Sequence, residues 1–359
     1  MRALLIAATL SFALSAAGQS TENVILVTLD GARTQEIFGG LDRELYGKIY
    51  KNGPKRETYL RFDAPMPAQR REKLMPFFWK LMRERGSIAG NRERGSRAET
   101  TNNLLFSYPG YSEIVTGRAR DEVINSNDRV QNRFPSFLQF LQRKMKLGYS
   151  GVAVFASWNV VNEIVSTDPK SFEVNAGFEE YRPQDEGLKL LNRLQTEAPT
   201  PWDSVRHDFY TFSFAMHHLK THRPRVLHLG LGETDDWAHD RNYDRMIDAL
   251  RRTDSYLEQL FGFIDADPQY RGRTTVLITV DHGRGSTERD WHGHGEDVPE
   301  ARNIWMAFVS PDWKLRGEWT KSRTVYQNQV AATLTKALGF DYSEQDKEAG
   351  KPIALLFEK

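Results

Sequence analysis

Residues 274–294 read TTVLITVDHGRGSTERDWHGH. The run from Thr275 to Val280 is β-branched or apolar at every position but carries no helical period. It is too short for a helix and continuous enough for a strand buried on both faces. It ends in Asp281 and His282, followed by Gly283 and Gly285. A carboxylate and an imidazole at the carboxyl end of a buried strand sit where open α/β sheets place their ligand crevices. His292, His294 and Glu296 follow at once. Zinc takes imidazole nitrogen and carboxylate oxygen in tetrahedral sites, so metal chemistry is a reading of this stretch; a surface loop that happens to carry histidines is the other.

The rest of the chain narrows the choice. Its 359 residues carry 49 Lys and Arg against 48 Asp and Glu, so no global charge draws it to nucleic acid or a membrane surface. There is no cysteine, which excludes a disulfide framework and a thiolate zinc site. Any metal must be held by His, Asp and Glu. Residues 1–17 read as a secretory leader, with Arg2 in the charged start, Leu4 to Leu14 in the apolar region and Ser15-Ala16-Ala17 as the cleavage site. The expected product is exported, with no later run long enough to span a bilayer. A single catalytic domain is expected over residues 21–359, interrupted by a loop-rich insertion near 170–202 with a short helix near Gly187 to Gln195.

Other strands repeat the opening pattern. Asn23 to Leu29 is nearly all apolar and ends in Asp30-Gly31, and Arg225 to Leu231 runs into the segment GETDDWAH. Tyr149 to Phe155 and Ile304 to Val309 also read as strands. Helical spacing marks Pro135 to Met145, Asp208 to Thr221, Asn242 to Ile264 and Gln327 to Leu338, and Pro76 marks a helix start. Strands alternating with helices give an α/β fold with a mainly parallel central sheet covered by helices on both faces. The Lys- and Arg-rich region from Tyr46 to Thr101 reads as a solvated face.

Two further segments carry chemistry. In NLLFSYPGYSEIVTG, residues 103–117, Ser107 falls at or beside the start of a short helix that Gly117 ends. Asp235 and His239 are four residues apart, which on a helix puts both on one face. Three strand ends thus deliver Asp30, Asp235 with His239, and Asp281 with His282, and His294 follows the last. Three carboxylates and three imidazoles suffice for two metal ions.

With these pieces in order, the chain resembles the alkaline phosphatase superfamily, and within it the nucleotide pyrophosphatase/phosphodiesterase branch. The matching motifs are VTLDG at Asp30, FSYPGYSEIVTG at Ser107, ETDDWAH at Asp235 and His239, TVDHG at Asp281 and His282, and HGHGEDVP at His294. The resemblance implies an alkaline-phosphatase-like α/β/α sandwich holding two zinc ions. One would be held by Asp235, His239 and His294, the other by Asp30, Asp281, His282 and the Ser107 hydroxyl. It further implies that Ser107 is the nucleophile of a phosphoester hydrolase and that Asn127, with Asn125 as rival, holds a phosphoryl oxygen. The expected substrate is a small-molecule phosphodiester rather than a nucleic-acid polymer. Tyr108 and Tyr111, where the branch has other residues, are expected to form a pocket wall for a second ester group. Arg33, Arg118 and Arg284 lie near the motifs in sequence and are candidates for an extra cation in the pocket. Gln329 stands where the family commonly has an aspartate and carries no assigned role. Tyr111 in place of a sulfatase arginine disfavours sulfate esters. A phosphomonoesterase or phosphotransferase with the same machinery, and a metal-holding protein without turnover, are the alternatives.

Overall fold

The computed structural model describes residues 20–182, 185–320 and 323–358; the expected leader lies outside them. Eleven strands occur among the described residues: β1 Asn23–Leu29, β2 Gly86–Ala89, β3 Arg97–Glu99, β4 Val152–Ala156, β5 Glu173–Ala176, β6 Val226–Leu231, β7 Thr274–Thr279, β8 Asn303–Ile304, β9 Met306–Val309, β10 Gly317–Glu318 and β11 Thr324–Tyr326. Eight form the central sheet in the order β10-β2-β9-β7-β1-β6-β4-β5. Only β9 runs against its neighbours in that sheet, and the five strands from β7 to β5 are all parallel. A smaller sheet joins β11, β3 and β8.

All seven residues of β1 are buried, because parallel neighbours and covering helices leave a central strand no wet face. Each of its Val, Ile and Leu side chains is worth about 1.5–3 kcal/mol on burial. The helix Tyr243–Ala266 turns Met246, Ile247, Leu250, Leu257, Leu260 and Phe261 inward, and Asn242 caps its start by accepting Arg245 N–H at 3.2 Å. Pro76 occupies the first position of the helix Pro76–Glu84. Helices flank the sheet on both faces, and none among the described residues is long and apolar enough to cross a membrane.

Local reading and structure part where a neighbour intervenes. The run Ile304 to Val309 is broken at Trp305, whose indole N–H donates to Ala32 O at 2.9 Å; β8 pairs with the small sheet and β9 with the large one. Tyr149–Gly151 forms a single 3₁₀ turn before β4. Residues 170–202 carry the expected short helix, as Glu186–Glu197, and in addition β5, which pairs with β4 at the sheet edge. In the basic region, Arg43, Arg56, Arg71 and Arg85 each meet a distant carboxylate, on Asp63, Asp244, Glu318 and Asp265.

Candidate active site

Register places the acids. Thr28 lies opposite Thr279 in the β1–β7 pair, so Asp30 and Asp281, two residues on, leave the sheet at one level. Leu29 lies opposite Leu231, and Asp30 N–H donates to Leu231 O at 2.8 Å. The helix Glu233–His239 therefore begins directly beside Asp30, with Asp235 in its first turn and His239 in its last. Asp235 Oδ2 is 3.0 Å from His239 Nε2.

Ser107 is the first residue of the fully buried helix Ser107–Thr116, after an extended Phe106. This helix packs against the end of β7 so closely that a Cβ on Gly110 would fall 2.3 Å from Asp281 O. A glycine is required there, where no side chain fits. Ser107 Oγ comes to 3.3 Å from His282 Nε2. The same nitrogen is 3.2 Å from Asp281 Oδ2, 3.5 Å from Asp30 Oδ1 and 3.8 Å from Asp235 Oδ1.

Each imidazole is aimed by its other nitrogen. His282 Nδ1 bonds Gly283 O at 2.9 Å and His294 Nδ1 bonds Leu105 O at 3.2 Å, which leaves both Nε2 atoms facing the cluster. His294 Nε2 lies 3.0 Å from His239 Nε2. His292 instead packs its ring on Trp291 at the loop surface. Donor atoms of Asp30, Asp281 and His282 all lie within 4.8 Å of one another, as do those of Asp235, His282 and His294.

The electrostatics call for a cation. Burial, then the charge of Asp281, holds the Asp30 carboxyl well above the usual range, and burial raises Asp281 also. Burial depresses His282, and burial followed by the charge of His282 depresses His294. Asp30 Oδ1 and Asp281 Oδ2 are buried without a hydrogen-bond partner. Buried carboxylate oxygens left unpaired beside converging imidazole nitrogens fit a divalent metal.

Above the cluster opens a cleft of about 580 Å³ whose lining includes Ser107, Asn127, Arg129, Trp158, Val160, Asp236 and, on its floor, Asp30, Asp235, His239 and His294. Asn127 Oδ1 accepts the N–H of Tyr108 at 2.9 Å, while Asn125 lines a separate cavity.

Some expectations fail here. Tyr108 and Tyr111 do not line the cleft: both are buried, Tyr108 with its hydroxyl donating to Val130 O and Tyr111 with its hydroxyl bonded to Asp30. One helical turn separates Tyr111 from Ser107, which carries its ring beneath the floor rather than into the wall. Trp158 supplies the aromatic wall instead, with its ring centroid 6.2 Å from that of Tyr111. Arg33 is buried on Glu36 and Gly285 O, Arg118 pairs with Glu348 at the surface, and Arg284 is buried on Asp235. Arg129 is the guanidinium that reaches the cleft, held by Glu163 at 2.7 Å. Nothing local in its sequence marked it. Gln329 bonds Lys351 O, whereas buried Gln327 donates to the carbonyls of Val280 and Asp281 and steadies the end of β7.

No known family's sequence profile matches the chain, and no curated protein matches it. Solved structures do. The chain superposes on a mutant of alkaline phosphatase PafA with a TM-score of 0.64 at 10% identity, covering 95% of this chain and 100% of that one. A phosphonate monoester hydrolase from Silicibacter pomeroyi gives 0.55 at 11% identity over 94% and 77% of the two chains. A 2-O GAG sulfatase gives 0.56 at 13% identity over 94% and 75%. The fold is that of the alkaline phosphatase superfamily. At these identities the likeness speaks for the fold, and its neighbours include enzymes of both phosphorus and sulfur esters.

Proposed function

We propose that the chain is an exported, metal-dependent phosphoester hydrolase of phosphodiesterase type, its leader removed and residues 21–359 forming one catalytic domain. The observation that carries this reading is Ser107 Oγ at 3.3 Å from His282 Nε2, on the floor of a cleft where three carboxylates and three imidazoles converge. A protein that only stores metal needs no hydroxyl at that point. Zinc suits six nitrogen and oxygen donors without thiolate. Asp235, His239 and His294 would hold one ion, and Asp30, Asp281 and His282 with Ser107 the other. Bound there, zinc would supply Lewis acidity that favours the ionised serine and offsets charge developing on the attacking and leaving oxygens.

The chain's own groups account for the rest. Ser107 Oγ forms a bond to phosphorus as the bond to the leaving oxygen breaks, and the departing alkoxide takes up a proton. Water then attacks the phosphoseryl phosphorus, and Oγ departs and regains its proton. The positive end of the Ser107–Thr116 helix dipole lies at this negative charge. With its Oδ1 engaged by Tyr108, Asn127 has its Nδ2 available for a non-bridging oxygen.

Phosphodiesters are expected to be turned over at least as well as phosphomonoesters, with sulfate esters far behind. A monoester dianion needs a further cation, and the one guanidinium lining this cleft among the described residues, on Arg129, is paired with Glu163. Trp158, Val160 and Val205 suit a second ester group packed against them. The test is metal analysis of protein purified without chelator, followed by kcat/KM for matched aryl monoester, diester and sulfate. A monoester preference above about a hundredfold, roughly 2.7 kcal/mol of differential transition-state binding, overturns the diesterase reading. Zinc near zero with activity supported only by calcium overturns the metal assignment.

The two neighbouring histidines separate cleanly. His294→Ala is expected to lose one bound ion, and His292→Ala to keep both, because only His294 turns Nε2 toward His239. The reverse pattern in elemental analysis exchanges the two roles.

A further inference from the structure

The six ligands divide into groups of unlike charge. Asp30, Asp281 and His282 are 4%, 0% and 0% exposed, and two of their carboxylate oxygens have no partner. The other group has a single carboxylate, Asp235, and a buried cation already stands against it. Arg284 Nη2 donates to Asp235 Oδ1 and, at 2.9 Å, to Asp235 O, while Nη1 donates to His292 O. Arg284 is 1% exposed. Gly31, at φ +56°, makes its place: a Cβ there would lie 2.3 Å from Asp235 Oδ1 and 2.7 Å from Arg284 Nε. Asp235 is left with Oδ2, which faces His239.

The charges differ accordingly. The first group brings two carboxylates and the second one; Arg284 also acts on Asp30, but the hydrogen bonds of its Nη2 go to Asp235, and Asp236 stands near both groups. Attraction for a dication follows that charge and grows as water is excluded. The second group is also the wetter, since the His239 side chain is 46% exposed at the cleft.

We infer that the two metal positions are unequal: Asp30, Asp281 and His282 form a permanent site, and Asp235, His239 and His294 an exchangeable one whose affinity Arg284 sets. This rests on the two-metal reading above. Turnover would then follow the zinc available outside the cell through occupancy of the second position alone.

The experiment is equilibrium competition of the zinc-loaded full chain with a chromophoric chelator, read as zinc transferred. Two dissociation constants at least about tenfold apart are expected, each accounting for one ion. R284M is expected to tighten the weaker constant by about tenfold or more and to leave the stronger within about threefold, and R284K, which keeps the charge, to preserve the gap. Should R284M fold poorly, H239A still decides, since its side chain is half-exposed and it should leave one ion at the stronger constant. Two indistinguishable constants, a gap unchanged in R284M, or loss of the tighter ion in H239A each overturn the inference while leaving the hydrolase reading intact. Failure to bind zinc at all removes both.

Discussion

Ser107→Ala is expected to cost the chemical step about four to six orders of magnitude while the protein remains folded and keeps its metal. The size follows from the role proposed for this hydroxyl, which stands beside His282 at the floor of the cleft and would form the bond to phosphorus. Its structural cost is small. Oγ makes one contact, to His282 Nε2 at 3.3 Å, and the helix that follows is held by burial along its whole length rather than by a cap on Ser107. Stability should therefore change by no more than about 1 kcal/mol. Single-turnover kinetics on an activated aryl diester, beside a denaturation curve and a metal analysis, separate these effects. If the variant stays within about tenfold of wild type, the nucleophile lies elsewhere.

Glu113→Ala is expected to destabilise the fold by about 3–5 kcal/mol and to lower turnover with it. Glu113 is fully buried on the inner face of the serine helix. Its carboxylate accepts the backbone N–H groups of Thr101 at 2.9 Å and Asn102 at 2.8 Å, the Thr101 hydroxyl at 2.8 Å and the Asn102 amide at 2.9 Å. Asn102 Oδ1 in turn accepts Leu105 N–H at 2.9 Å, fixing Leu105 at φ 55°, a left-handed conformation unusual for a leucine. Leu105 O is the partner that aims His294. Removing the carboxylate strands several buried donors at once and frees the loop that sets both Ser107 and His294. Denaturant midpoints measure the first effect, and the ratio of kcat to KM losses the second. A loss of stability under about 1 kcal/mol would falsify this account of Glu113.

How far the sequence reaches is seen by following single residues. Strands β1 and β7 and the ligands at their ends were legible because the signal is contiguous: an apolar run buried on both faces, then an acid where the chain leaves the sheet. Helix starts at Pro76 and Ser107 and the end at Gly117 were legible for the same reason, since each depends on the conformational limits of one residue and its immediate neighbours. Strands β2, β5 and β10 were not. With two to four residues each they have no period to read, and they exist because a neighbouring strand offers a free edge.

The lining of the cleft belongs to the second kind. Closeness in sequence suggested Tyr108, Tyr111, Arg33, Arg118 and Arg284 as pocket residues, yet the packing of the serine helix buries the tyrosines, and carboxylates claim the arginines, nearby Glu36 for Arg33 and distant Glu348 and Asp235 for Arg118 and Arg284. Arg129 and Trp158 reach the cleft from other segments. The chain alone therefore determined which side chains can bind metal and where each strand ends. Tertiary structure decided that Thr28 lies opposite Thr279, that Gly110 brings the serine helix against Asp281, and that Arg284 shares Asp235. Ligand identity is carried by residues that touch their own strand ends; register, helix docking and charge pairing join residues tens to hundreds of positions apart, and no local pattern encodes which distant partner will be there.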